Sequence, residues 1–329
     1  MTWWEDRCNA SGVLRFVDVN LRGIGQVMFQ DNPLSGALFL AAIAWASWAA
    51  GTPRLAMATI VAVVVATLMA HWLRVDRGAL RSGLYGYNAT LVGLALATFL
   101  APGMLLWVYV VLGAMVSVVA MLAISNAMKA WGVSALTFPF VLTTWLMLLA
   151  TYGFAGLVGH ALPSGSVVGA VQAYPTDPLD VVGVVQGVFR SISQVFLKSS
   201  VVAAILLLAG LLVGSPAAAA FALAGAVIAV ATAHLLGAES DLITGGLLGF
   251  SPVLTAIALG TVFYRPSVRV AAYAALGTVF TVVAQAALNV ALTPLAIPAL
   301  TAPFVLVAWL FLLPRHALEP AQSGEDTGD

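Results

Sequence analysis

The sequence of 329 residues is short of charge, because only 8% of its residues are Asp, Glu, Lys or Arg. Soluble domains carry about 25% charged residues, so a water-soluble globular protein is excluded. Acidic and basic residues balance at a formal net charge of zero, which leaves no basic surface for nucleic acid. A single cysteine, Cys8, provides neither a disulfide framework nor a cluster of metal ligands.

Apolar residues take the place of the missing charges. They make up 62% of the chain, and the mean hydropathy is +1.04. Because a helix needs about 20 mostly apolar residues to cross a bilayer, the sequence predicts an all-α polytopic membrane protein. The ten predicted membrane-spanning helices occupy residues 34–50, 55–73, 83–101, 104–125, 137–153, 201–213, 217–236, 245–262, 268–289 and 301–314.

The basic residues orient these helices. Ten of the 13 Lys and Arg residues fall on the side of the N-terminus, and the other three are Arg54, Arg190 and Lys198. Basic residues concentrate in cytoplasmic loops, so both termini are predicted to lie in the cytoplasm, beneath the inner or plasma membrane of the cell. A miscount by one span would mix the two groups, and their separation therefore supports ten spans.

Three sequence blocks occur twice in the same order. The matched blocks are RGIGQVMF (22–29) with RSISQVFL (190–197), GLYGYNATLVGLAL (83–96) with GLLGFSPVLTAIAL (246–259), and SALTFPFVLTTWLMLL (134–149) with PALTAPFVLVAWLFLL (298–313). Their spacings are 168, 163 and 164 residues. Each copy holds five spans, an odd number, so the second copy must enter the membrane from the opposite side as an inverted repeat.

The repeat divides the chain into four parts. These are the first repeat at 1–160, an extracellular linker at 161–189, the second repeat at 190–315 and a disordered cytoplasmic tail at 316–329. Residues 22–32 and 190–200 are amphiphilic, are too short to span a membrane, and precede the first span of each repeat. We interpret them as re-entrant or tilted half-helices at a pore, with a helix lying flat on the membrane surface as the alternative.

The predicted spans lack the groups that active transport and catalysis use. No Asp, Glu, Lys or Arg lies near the middle of a span, which argues against an ion-coupled carrier. The spans contain no pair of histidines of the kind that would form an ammonium pathway. They also contain no nucleophile paired with a base, as an enzyme would need. The remaining polar groups occur as repeat pairs, Gln26 with Gln194 and Thr137 with Thr301. The threonines could instead be ordinary helix N-caps at the membrane surface.

The motifs QVMFQDNPLSG, GLYGYNATLVG, LTFPF and LTAPF together resemble the urea transporter family, across nearly the whole chain. That resemblance implies a passive urea channel in the lipid bilayer, usually a homotrimer with one pore in each protomer. The pore would be a narrow slot with apolar walls, and oxygen atoms along its edges would accept hydrogen bonds from the amino groups of urea. No cofactor, metal site or catalytic residue is expected.

The resemblance also implies which side chains line the pore. Carried over by position, they are Gln26, Phe29, Leu91, Thr137, Gln194, Val195, Leu247, Leu248, Leu254 and Thr301. The glutamines and their neighbours would line the two mouths, the leucines at 91 and 254 the flat walls, and the threonines the central constriction. In the second repeat KSSVVAA replaces QDNPLSG, so the Asn-Pro element is lost and Lys198 is gained. Asp31, Asn32 and Pro33 are therefore predicted to end the re-entrant piece and to start the first span.

Three alternatives stay open from the sequence. A channel for another small amide or for ammonia would keep the same fold. An ion-coupled carrier is the alternative from a different class, because inverted repeats are common among carriers. An enzyme within the membrane is the third. A channel equilibrates urea without any ion gradient, whereas a carrier needs one, so a flux assay separates the first two classes.

Overall fold

The computed structural model describes residues 2–165 and 179–314, and the regular elements in this part of the chain are all helical. The first eight helices are α1 (Thr2–Ala10), α2 (Gly12–Gly25), α3 (Pro33–Ala49), α4 (Arg54–Trp72), α5 (Arg77–Arg81), α6 (Tyr87–Phe99), α7 (Met104–Met128) and α8 (Phe138–Ala150). The helices that follow are α9 (Val181–Ser193), α10 (Val201–Gly214), α11 (Pro216–Leu235), α12 (Ser240–Thr244), α13 (Phe250–Ile257), α14 (Val268–Leu292) and α15 (Ala302–Leu312). The predicted tail, 316–329, and residues 166–178 of the predicted linker lie outside the described residues.

Each of the ten predicted spans contains an apolar helix. Within the described ranges, four helices are long and apolar enough to cross a membrane, namely α4, α7, α11 and α14. The helix α9 and its following turn meet α10 at an angle of 71°, and this bent pair would make a fifth. The other apolar helices are shorter, such as α6 with 13 residues and α15 with 11. The fold is that of a helical membrane protein.

Polar side chains cap the starts of α3 and α10. Asn32 Oδ1 accepts a 2.9 Å hydrogen bond from Leu34 N–H, and Pro33 occupies the first turn of α3. The helix α10 lacks this element, and Ser200 caps it through a 3.2 Å bond from Ala203 N–H to Oγ. Such caps satisfy N–H groups that have no partner within the helix. This geometry agrees with the structural role predicted for Asn32 and Pro33.

The helices α2 and α9 each end in a turn that begins with glutamine. Gln26–Met28 and Gln194–Phe196 form single 3₁₀ turns, and the residues that follow, Phe29 and Leu197, are left-handed with φ of 61° and 52°. We call residues 26–29 and 194–197 the glutamine turns. A left-handed backbone is uncommon for residues other than glycine, so its presence in both turns indicates a specific conformation that the surrounding structure holds.

The helices that lead into the glutamine turns are longer than the sequence predicts. The helix α2 begins at Gly12 and α9 at Val181, rather than at 22 and 190, so α9 occupies part of the predicted linker. Ser11 Oγ and Asp180 Oδ1 accept the hydrogen bonds that cap these helices. Both caps lie outside the repeated blocks, which is why the repeat alone places the starts too late. The helix α1, which packs against α2, is not predicted from the hydropathy.

Two glycines bring loops against these helices. Gly83, with φ of 74°, lies so close to α2 that a Cβ atom would come within 2.3 Å of its backbone. Gly246, with φ of 75°, lies as close to α9, where a Cβ atom would come within 2.4 Å of backbone atoms. Side chains at these positions would push the loops away, so glycine is required for the approach. The approach brings the carbonyl groups of Ser82 and Gly245 to the glutamine turns.

Candidate functional site

Thr137 and Thr301 are hydrogen-bonded to each other. Their Oγ1 atoms are 2.7 Å apart, and each residue is 3% exposed. They stand at the starts of α8 and α15, directly after two left-handed residues, Leu136 and Leu300. Neither hydroxyl caps its own helix. The interpretation as N-caps at the membrane surface therefore does not hold, and the hydroxyls form a buried polar contact between two helices.

Asn88 on α6 supports the start of α8 in place of the threonine side chain. Its Oδ1 atom accepts a 3.1 Å hydrogen bond from Phe140 N–H, and the residue is 1% exposed. The neighbouring Tyr87 donates from its hydroxyl to Leu136 O at 2.6 Å. Because Asn88 accepts the bond from an N–H group at the start of α8, and Tyr87 holds the residue before Thr137, the hydroxyl of Thr137 is left to bond with the other threonine.

Two tryptophans join the segments that lead into the threonines. Trp145 on α8 donates from Nε1 to Pro298 O, and Trp309 on α15 donates from Nε1 to Ser134 O, both at 2.9 Å. Each carbonyl lies three residues before a threonine. The tryptophan of α8 therefore holds the segment that leads into α15, and the tryptophan of α15 holds the segment that leads into α8. These tryptophans are not among the residues predicted to form the site. The sequence does relate them, because they occupy matched positions in the repeated block. They are 164 residues apart, as the two threonines are.

Gln26 and Gln194 make the same contact in the two glutamine turns. Gln26 Nε2 donates to Ser82 O at 2.9 Å, and Gln194 Nε2 donates to Gly245 O at 3.1 Å. An amide side chain offers N–H donors on its nitrogen and a carbonyl oxygen as acceptor. Since the backbone holds both nitrogens, each Oε1 atom is left as an acceptor without a partner in the part of the protein that the structure covers.

A cavity of about 650 Å³ opens beside the first glutamine turn. Phe29 meets Phe263 and Phe304 there edge to face, with ring centroids 6.5 and 6.2 Å apart. The residues that line the cavity are Gln26, Val27, Phe29, Leu84, Tyr87, Met121, Ser125, Lys129, Val133, Ser134, Ala135, Leu136, Thr137, Val262, Phe263 and Phe304. Among these lining residues Lys129 is the one charged side chain, so mild polar groups lie on a mostly apolar wall.

The structure brings four of the predicted pore residues together. Gln26, Phe29 and Thr137 line the cavity, and Thr301 is joined to it through the bond between the hydroxyls. The predicted residues that do not line this cavity are Leu91, Gln194, Val195, Leu247, Leu248 and Leu254. The leucines at 91 and 254 are fully buried within α6 and α13, whereas the one at 247 is 41% exposed.

Leu84 is a cavity residue that is absent from the predicted set, and Leu197 is the repeat counterpart of Phe29. Leu84 lines the cavity and stands at the repeat position of Leu247. Leu197 stands at the repeat position of Phe29 and shares its left-handed backbone. Val195, which the resemblance suggests for that place, is 2% exposed and lies inside the 3₁₀ turn. The repeat spacings of 163 and 168 residues relate Leu84 to Leu247 and Phe29 to Leu197.

The structure combines apolar helices of membrane length with a buried polar contact between two uncharged side chains. These features define a helical membrane protein with a neutral polar site. A family model described as "Urea transporter" matches residues 17–316 of this chain. Urea transporter 1 of Ovis aries is 30% identical over 319 residues, in an alignment that covers 94% of this chain and 79% of the relative. Urea transporter 1 of Rattus norvegicus is 31% identical over 316 residues, with the same coverage of 94% and 79%. The chain belongs to the urea transporter family.

Proposed function

We propose that this protein, a transporter and not an enzyme, is a passive channel through which urea crosses the membrane by facilitated diffusion. The observation that carries the proposal is the buried contact between Thr137 and Thr301, two neutral hydroxyls where α8 and α15 begin. No Asp or Glu is among the residues that line the adjoining cavity, so a coupling ion would find no carboxylate there. Membership of the family supplies urea as the solute.

Hydrogen-bond acceptors along the pathway would replace the water around urea. Moving an amide out of water without new partners costs about 2–7 kcal/mol. The Oε1 atoms of Gln26 and Gln194 at the two mouths, and the lone pairs of the threonine hydroxyls between them, are acceptors for the amino groups of urea. Each contact is neutral and weak enough to release, so urea can move from one acceptor to the next.

The contact between the threonine hydroxyls also constrains the route. No molecule passes between two atoms 2.7 Å apart, so urea would travel beside the pair, with its edge toward the oxygens and its flat faces against apolar side chains. We assign these walls to Leu91 and Leu254, together with Phe29 and Leu84 in the cavity. Because Leu91 and Leu254 are fully buried, the slot between these two side chains would widen only as a solute enters.

We place the second mouth at the other glutamine turn. Gln194, Leu197 and Leu247 are assigned to its lining, by their repeat relation to Gln26, Phe29 and Leu84. Val195 and Leu248 are 2% and 5% exposed, so they support this mouth from behind. Lys198 directly follows the turn and is 6% exposed, and its positive charge would repel cations at this end of the pathway.

Ten membrane-spanning helices in two inverted repeats would surround the pathway. In support, the glutamine turns, the glycine contacts and the reciprocal tryptophan bonds each occur twice, at spacings of 163 to 168 residues. In this proposal the first repeat covers 1–160, and the second begins with α9 at Val181. Both termini lie in the cytoplasm, as the basic residues indicate, and the assembly is a homotrimer with one pore in each protomer.

Stopped-flow light scattering on proteoliposomes that contain the purified protein tests the proposed function. Urea should equilibrate down its own gradient without any ion gradient, and the flux should persist when the proton gradient is collapsed. Loss of flux on collapse would instead indicate an ion-coupled carrier. Faster passage of ammonia, thiourea or dimethylurea than of urea would assign the pathway to another small neutral solute.

A further inference from the structure

A second cavity, of about 790 Å³, lies at the end of α4, between α2 and α5. It shares no lining residue with the cavity beside the threonines. Four arginines line it, Arg15, Arg74, Arg77 and Arg81, and we call it the arginine pocket. Its other lining residues are Gly12, Phe16, Val19, Thr67, Ala70, His71, Val75 and Leu80. This lining contains no carboxylate, so the pocket is positively charged, and its volume is within the range of about 300–1,000 Å³ that is typical of ligand sites.

The protein itself does not neutralise these guanidinium groups. Arg15 and Arg81 donate only to neutral oxygen atoms of α1, at 3.2 and 2.9 Å for the two bonds from Arg15. Arg74 and Arg77 are exposed and have no hydrogen-bond or ion-pair partner within residues 2–165 and 179–314. Asp76, which lies between them in sequence, uses its Oδ1 atom to accept the capping bond of α5. The pocket is therefore open to an anion.

The matched region of the second repeat forms the same elements without these arginines. The helices α5 and α12 are both five residues long, and they follow α4 and α11, which carry His71 and His234 at matched positions. The residues at the positions that match the four arginines are Gly183, Gly237, Ser240 and Thr244. Because the same helices form there without positive charge, the fold does not require the arginines. The positive-inside rule explains their side of the membrane, and the pocket that all four share is the feature that points to a ligand.

The chemistry of the arginine pocket fits a phosphate group that a lipid presents. The planar guanidinium group of arginine binds phosphate through two parallel N–H donors. Phe16, Val19 and Leu80 give the wall an apolar part. Trp72 lies between the pocket residues His71 and Arg74 in sequence and is 75% exposed at the end of a membrane-length helix. Tryptophan is enriched at the level of lipid headgroups. We propose that the arginine pocket binds the phosphate group of an anionic phospholipid, with an acyl chain along the apolar wall.

Native mass spectrometry of the full chain in detergent micelles, with phosphatidylglycerol and phosphatidylcholine as the two lipids, tests this proposal. A basic side chain near an anionic membrane surface contributes about 1 kcal/mol, which corresponds to roughly fivefold in affinity. Arg77→Gln should therefore weaken phosphatidylglycerol binding about fivefold, and Arg74→Gln with Arg77→Gln about 25-fold. Phosphatidylcholine, which carries no net charge, should bind less than phosphatidylglycerol and be unaffected by these changes.

Arg269→Gln is the matched control. It removes the same charge from an exposed arginine at the start of α14, outside the arginine pocket, and should leave lipid binding unchanged. Equal binding of the two lipids would mean that the pocket does not select an anionic headgroup, and an equal loss in this control would mean that charge anywhere on the protein attracts lipid. Either result would overturn the proposal. Wild-type urea flux should verify that the variants are folded, and Arg77→Gln alone decides the test if the double variant fails to fold.

Two soluble phosphates, glycerol 3-phosphate and inorganic phosphate, distinguish the lipid from a soluble ligand. Neither should displace phosphatidylglycerol at a matched concentration, because both lack the acyl chains that the apolar wall would contact. Displacement of the lipid by either compound would assign the arginine pocket to a soluble phosphate and overturn the proposal of a lipid site.

Discussion

Replacing both Thr137 and Thr301 by valine removes the two hydroxyls of the buried pair and preserves the shape of both side chains. In the wild-type protein these hydroxyls are 2.7 Å apart, and each residue is 3% exposed. Replacing both partners of a buried hydrogen bond by apolar groups of the same shape is nearly neutral for stability, whereas replacing one partner leaves the other unpaired and costs about 1–3 kcal/mol. The double variant should therefore be at least as stable as either single variant.

The effect of this double variant on urea flux should be much larger than its effect on stability. When urea bonds to both hydroxyls in the constriction, their removal costs two hydrogen bonds of about 0.5–1.5 kcal/mol each. The barrier then rises by roughly 1–3 kcal/mol, and since about 1.4 kcal/mol is tenfold in rate, the flux should fall about five- to 150-fold.

Stopped-flow urea uptake, normalised to the amount of protein in the vesicles, measures this fall. Thr255→Val with Thr281→Val is the matched control, because these threonines form another buried pair, with Oγ1 atoms 2.9 Å apart on α13 and α14. Neither of them lines the cavity, so this control should keep wild-type flux. Wild-type flux in the variant of Thr137 and Thr301, together with a normal melting temperature, would refute a role of the pair in the constriction.

Three further changes address the walls, the first mouth and the support of the constriction. Leu91→Phe or Leu254→Phe should lower urea flux in the same assay, because each adds a ring at a fully buried position, and unchanged permeability would remove these leucines from the walls. Gln26→Leu should lower urea flux about fivefold through the loss of one acceptor worth about 1 kcal/mol, and wild-type flux would place this side chain outside the pathway. Trp309→Phe removes the 2.9 Å donor to Ser134 O and should destabilise the protein by about 1 kcal/mol, measured as a lower melting temperature in scanning fluorimetry; an unchanged melting temperature would contradict the supporting role.

Most helices are predictable from the sequence because a membrane helix must satisfy its own backbone and therefore shows a long apolar run. For α4 the predicted range of 55–73 differs by one residue at each end from the observed Arg54–Trp72. The starts of α2 and α9 are missed for a physical reason. These helices are amphipathic, with no long apolar run, and hydrogen bonds to Ser11 and Asp180 determine where they begin.

The pairing of the two threonines is predictable, but their contact is not. The repeat relates Thr137 to Thr301 without giving a distance between them. Their direct bond depends on the reciprocal tryptophan bonds, which hold each threonine segment against the helix of the other. The cavity likewise combines Phe29 from the first repeat with Phe263 and Phe304 from the second. A block alignment relates equivalent positions, and it does not show which positions of the two repeats face each other.

Glutamine and threonine carry donors as well as acceptors, so residue types alone do not determine which of these the proposed channel offers. In the structure Ser82 O accepts from one of the two N–H groups on Gln26 Nε2, and Gly245 O accepts from one of those on Gln194 Nε2. One of the two threonine hydroxyl protons is used in the bond between the hydroxyls. The groups that remain are mostly acceptor lone pairs, which suit a solute with N–H groups along its edges. A solute with acceptors along its edges would leave buried polar atoms unpaired, at a cost that rejects it. Ser82 and Gly245 would thus contribute to selectivity by fixing the direction of the two amides.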